Sequence, residues 1–168
     1  MPLLLAFTTS LFSQDQDARV VTRIVTDTIP AWNTWKGEGC SMNYPGSWQL
    51  GAAMNGDTAV IFRTVADALS PVSAVSVVIK EKRLKGPSPK DLPKGSEMIA
   101  SEGPDASGAY STEFTGTVDG VPLHGSQRVM VQDKKTYILT FTTSPEAFKD
   151  NLFLAEAMMN SFSLPKDD

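Results

Sequence analysis

The chain has one cysteine and one histidine in 168 residues. A single cysteine excludes an internal disulfide, and Cys40 with His124 falls far short of the ligand set that a zinc site needs. Any chemistry that requires a histidine near neutral pH has only His124 to use. Positive charge is also in deficit. Fifteen Lys and Arg stand against nineteen Asp and Glu, a formal net charge of -4, which creates no general field for nucleic acid. No apolar run is long enough to cross a bilayer as a helix. A glycine-rich phosphate loop and a serine nucleophile elbow are missing too, since "LHGSQ" lacks the G-x-S-x-G spacing. "NGDT" serves better as a turn than as a calcium loop, and the acids carry no motif that pairs two of them for glycoside chemistry. No cofactor is indicated, and the chain reads as a non-enzyme.

What is present fits one folded domain. Hydrophobic residues at 41% and charged ones at 20% are ordinary for a globular protein, and a chain of this length buries roughly two-thirds of its unfolded surface. The start, "MPLLLAFTTSLFSQDQD", runs from apolar to small polar to charged, the order of a secretory signal peptide, although no Lys or Arg precedes the run. Residues 1–17 are therefore expected to be removed on export, with a mature start between 11 and 18; an apolar strand or helix that stays in place is the alternative. Cys40 lies too late to be a lipid-modified N-terminal cysteine. Residues 18–37 read as a lead-in segment, 38–164 as the domain and 165–168 as a charged tail.

Within the domain the period-two signal is clear. Cys40, Met42 and Tyr44 alternate with Ser41 and Asn43, and Pro45-Gly46 ends that strand in a turn before Trp48 and Leu50. Asn55-Gly56 predicts a tight hairpin, and Val75, Val77 and Ile79 share a strand face. The stretch from Lys80 to Lys94, "KEKRLKGPSPKDLPK", holds six cations and two acids and is broken by three prolines. It reads as a solvated loop, with an anion or membrane-surface patch as the alternative. "SEMIAS" is open between strand and helical turn. Asp119-Gly120 predicts a type I′ hairpin in which Val118 faces Val121, Phe114 faces Gly125 and Tyr110 faces Val129, all on a core side. The opposite face carries Glu113, Thr115, His124, Ser126 and Arg128. "TYILTFTT" makes a third strand. Ser144, Pro145 and Glu146 read as a helix start, followed by an apolar stripe of Phe148, Leu152, Ala155, Met159 and Phe162. Antiparallel strands closed by one helix are the α+β pattern.

The order of these landmarks, "YPGSW", strands, a Pro-rich loop, a glycine-punctuated pair of long strands, "TYILTFTT" and a helix ending in "NSF", resembles the PsbP-like family. The resemblance covers roughly residues 38–164 and rests on structural motifs without chemistry. It implies the Mog1/PsbP-like α/β/α sandwich, a mostly antiparallel sheet with the C-terminal helix packed on it. The family includes extrinsic photosystem proteins and many bacterial exported proteins of unknown role. This sequence has no plant-type transit segment and no histidine set for a family metal site, so the photosystem role does not carry over and only the fold is implied.

Few residues remain as candidates for a site. Glu113, His124 and Arg128 share a strand face and can form an ionic cluster, but a solvated sheet face paired across strands predicts the same residues. On that reading, replacing His124 with Ala leaves folding and activity nearly unchanged. Cys40 beside His124 would make a thiolate pair, yet the cysteine alternates with apolar neighbours like an inert buried thiol. Trp32 and Trp35 either dock a partner, a glycan or a membrane surface, or pack over the sheet. The leading functional reading is an exported, soluble accessory or binding protein, periplasmic or extracellular, whose partner is another protein rather than nucleic acid. The exposed sheet face and the loop around residues 84–95 are the expected contact surfaces. The alternative is a lipocalin-like carrier of a small apolar ligand, suggested by Gly46-x-Trp48 and about eight strand-like runs before a late helix.

Overall fold

The computed structural model describes residues 31–51, 56–65 and 72–164. The expected signal peptide, the first part of the lead-in and the charged tail lie outside the described residues.

Among the described residues nine strands and one α-helix follow in order: β1 (Trp32–Gly37), β2 (Cys40–Pro45), β3 (Gln49–Gly51), β4 (Thr58–Arg63), β5 (Ala74–Lys80), β6 (Ser96–Glu102), β7 (Tyr110–Val118), β8 (Val121–Gln132), β9 (Lys135–Thr143) and α1 (Phe148–Asn160). Strands β1 and β2 form a separate hairpin, and the other seven make one sheet in the order β3-β4-β5-β9-β8-β7-β6. Every pairing is antiparallel. Among the described residues the sheet is open, with β3 and β6 as its edges, so they enclose no barrel interior and do not form the closed barrel of the lipocalin-like alternative. The α+β class and the C-terminal helix packed on the sheet are as expected.

The two faces are covered differently. Helix α1 and the β1–β2 hairpin cover one face and bury Met42, Phe62, Val75, Val77, Leu139, Phe141 and Met158 between the layers. Tyr44 packs on Phe62 with ring centroids 4.9 Å apart. The end of the chain is pinned to β2, where Ser41 and Ser163 exchange backbone hydrogen bonds of 3.1 and 2.8 Å. Over the second face runs the β5-to-β6 crossover, residues 81–95, with one 3-10 turn at Pro89–Asp91. This stretch is tethered rather than merely solvated. Thr136 Oγ1 donates to Lys82 O at 2.8 Å and accepts from Leu84 N at 2.9 Å. Buried Gln127 donates to Asp91 O at 3.0 Å, Lys80 pairs with Asp91, and Leu92 is buried.

Local expectations hold where the signal is local. The β7–β8 register is Val118↔Val121, Phe114↔Gly125 and Tyr110↔Val129, with Asp119 and Gly120 at φ of 52° and 80° as a type I′ turn requires. "SEMIAS" is strand. Three expectations change. The lead-in contains a strand, because Trp32–Gly37 pairs along its whole length with β2. The expected Asn55-Gly56 turn lies partly outside the described residues, while β3 and β4 on either side pair antiparallel with Leu50 opposite Phe62. Helix α1 starts at Phe148, because Ala147 N bonds back to Ser144 O and Oγ and closes a separate turn first. The β7–β8 faces are also reassigned. Phe114 and Val129 are buried, but under the crossover, while the polar set faces α1; Val118 and Val121 at the hairpin tip are exposed.

Candidate functional site

Strands β6, β7 and β8 extend past the side of α1 and leave a groove of about 230 Å³ between helix and sheet. Ser111, Glu113 and Ser126 contribute to its floor. Glu113 lies opposite Ser126, Ser111 opposite Arg128, and Thr115 opposite His124, so these side chains alternate onto the helix-facing side of the pleat. The helix adds Phe148, Leu152 and Glu156, and β6 adds Glu102 at the rim.

His124 is fixed on two sides. Its Nε2 lies 2.6 Å from Glu113 Oε1 and donates to that carboxylate, and its ring stacks on Phe148 at 3.6 Å with an 8° interplanar angle. Phe148 in turn stacks on Phe141 at 5.9 Å. His124, Phe148 and Phe141 thus form one column in which Phe148 lines the groove and Phe141 lies in the core, and the histidine side chain is only 18% exposed. The helix covers His124 through Phe148, whereas Glu113 on the same face is 43% exposed and lines the groove.

Arg128 belongs to a different cluster. Its Nη1 donates to Asn160 Oδ1 at 2.5 Å, and Nη2 donates to Asp105 Oδ2 at 3.1 Å and Ser107 Oγ at 3.4 Å. Asp105 Oδ1 accepts from the Ser107 hydroxyl at 2.6 Å, Ser107 N at 2.8 Å and Ala109 N at 3.0 Å. The Ser107 hydroxyl first, then the Ala109 amide, hold the Asp105 carboxyl below its ordinary range, with Arg128 a smaller cause. Arg128 ties the β6–β7 loop to the end of α1. Glu113 and His124 therefore meet, whereas Arg128 turns away from them. Ser126 Oγ, between the two clusters, is buried without a partner.

Cys40 and His124 are kept apart. Cys40 sits near the Lys135 and Tyr137 end of β9, while His124 pairs with Thr143 at its other end. Cys40 is buried and burial pushes its thiol pKa up, the opposite of an activated nucleophile. Trp35 packs edge-on against Phe62 at 6.3 Å, and Trp32, three residues earlier on the opposite face of β1, points outward and is 38% exposed. Among the described residues no three His, Cys, Asp or Glu side chains stand together as a metal ion requires. Sequence reasoning missed Phe148 as the partner of His124, together with Asp105 and Asn160. Phe148 was visible only as a member of the helix stripe, and nothing local ties it to a strand residue 24 positions earlier.

No protein-family model matches the chain, and no curated protein sequence does. Solved structures do match. The chain is similar to the solution structure of cyanobacterial PsbP (CyanoP) from Synechocystis sp. PCC 6803, with a TM-score of 0.60, 17% identity, and coverage of 83% of this chain and 95% of that one. It is also similar to the crystal structure of PA94 from Pseudomonas aeruginosa, a protein of unknown function, with a TM-score of 0.53, 15% identity, and coverage of 82% and 99%. The chain has the PsbP-like fold.

Proposed function

On the premise of that fold, we propose that the chain is an exported, non-catalytic accessory protein that works by holding another protein at the groove beside α1. The observation that carries this reading is the use made of the charged groups. His124 is committed to Glu113 and Phe148, and Arg128 to Asp105 and Asn160. No nucleophile stands against a base in this arrangement, as covalent catalysis requires. What faces outward instead is a contact surface. Glu102 and Glu156 line the groove together with apolar Phe148 and Leu152, and outside its lining two large apolar side chains, Ile99 on β6 and Phe153 on α1, are 55% and 81% exposed. Exposed apolar groups rimmed by charge are the composition of a protein-binding patch. Export is supported by the residue order at the N-terminus, and no helix among the described residues is long and apolar enough to cross a membrane.

The test is affinity capture from the native host with the chain carrying its own N-terminus, read by mass spectrometry for the mature end and for stoichiometric companions. The expected result is a shortened chain and one protein partner, lost when Glu102→Lys and Glu156→Lys are introduced together. Recovery of an intact N-terminus would remove the export part. A partner retained by the double variant would remove the groove.

A further inference from the structure

The crossover loop carries charge that the rest of the molecule does not. Residues 80–94 hold six Lys or Arg and two acids, whereas the remaining sequence holds nine Lys or Arg and seventeen acids. Both loop acids are already neutralised. Asp91 Oδ1 lies 2.5 Å from Lys80 Nζ, and Glu81 Oε1 lies 2.8 Å from Lys135 Nζ. Lys82, Arg83, Lys85, Lys90 and Lys94 therefore stand without an ion-pair partner among the described residues. Three of them, Lys82, Lys85 and Lys90, line one depression of about 420 Å³ together with Ser88. Ser88 Oγ accepts the Lys90 amide at 3.3 Å, which leaves the hydroxyl proton free to donate to a ligand.

We propose that this depression binds a phosphate monoester group, with Lys82, Lys85 and Lys90 supplying the charge and Ser88 a directional hydrogen bond. Like charges gathered on one short loop repel one another, and an anion with two charges relieves that repulsion. Lysine supplies point charges that suit a phosphate without demanding bidentate geometry. The site is built before the ligand arrives. Thr136 and Gln127 fix the loop backbone to β9 and β8, and Pro87, Pro89 and Pro93 restrict its free conformations. A phosphorylated lipid headgroup and a soluble phosphate ester present the same chemistry.

The decisive experiment titrates the isotope-labelled full chain with glycerol 3-phosphate and follows the backbone amides by NMR. Saturable shifts confined to residues 82–94 are expected, with affinity weakened by about tenfold or more in the triple variant K82A/K85A/K90A and falling as salt rises. Absence of a saturable shift, saturation that maps elsewhere, or equal affinity in the triple variant would overturn the site. Mapping on the unsubstituted chain decides the matter even if the variant fails to fold. Flotation with phosphatidylcholine vesicles that contain phosphatidic acid, competed by glycerol 3-phosphate, assigns the site to a lipid headgroup. Soluble binding without flotation assigns it to a soluble ester.

Discussion

His124 shows how one residue changes meaning when its neighbours are known. Its stacking on Phe148 and its bond to Glu113 make it part of the helix-to-sheet contact. His124→Ala is therefore expected to destabilise the fold by about 1–2 kcal/mol, the loss of a ring stack and one charge-assisted hydrogen bond. His124→Phe keeps the stack and is expected to recover most of that loss in a urea unfolding series; if the two variants unfold alike, the ring contact contributes nothing. Gly125, the next residue, is constrained by space. A Cβ there would stand 2.4 Å from the Phe114 ring and 2.4 Å from Phe141 O. The fully buried Phe114 side chain fills the volume a side chain at 125 would need. Gly125→Ala is expected to cost about 3 kcal/mol in the same measurement, because backbone as well as a ring must move.

Among the elements, the crossover and the β6–β7 loop are held by single side chains, and each yields a test. Thr136→Val preserves shape and removes the hydroxyl that serves both Lys82 O and Leu84 N. A loss of about 1–3 kcal/mol is expected, with faster amide exchange at Leu84. The Asp105 carboxyl titrates below its ordinary range in the folded chain. Its contribution is therefore present above the unfolded carboxylate pKa and is lost as pH falls through the lower folded value. The Ser107 and Ala109 amides are expected to lose exchange protection across that acid window, and Asp105→Asn is expected to flatten the dependence. The same elements show what the sequence could display. Hairpins at Asp119-Gly120, the period-two runs and the helix stripe depend on neighbours a few residues away, and all were legible. The coverage of each sheet face depends on where distant segments land. Residues 81–95 lie over Phe114 and Val129, and α1 lies over His124, so the apolar face was assigned to the wrong layer. Strand β1 was missed because "WNTWKG" has no clean alternation and is a strand by virtue of its pairing with β2.

For the molecule as a whole, an open seven-stranded sheet has two edges that offer unpaired backbone to other chains. Both are blunted here. Edge β3 is three residues long. Edge β6 has a register shift between Met98 and Ala100, which bulges Ile99 outward, and charged Glu97 and Glu102 near its ends. Bulges and charges disfavour strand addition, so the purified chain is expected to elute as a monomer in size-exclusion chromatography with light scattering. Removing the charges tests the mechanism, because Glu97→Val with Glu102→Val leaves the bulge and the fold's buried contacts in place. Concentration-dependent association of that variant, reversed when Ile99→Lys is added, is the expected outcome. A variant that stays monomeric at high concentration would show that the bulge alone guards the edge. A wild-type chain that already dimerises and is made monomeric by Ile99→Lys would mean that β6 is an interface, and the groove beside it would then face a second copy rather than a different protein.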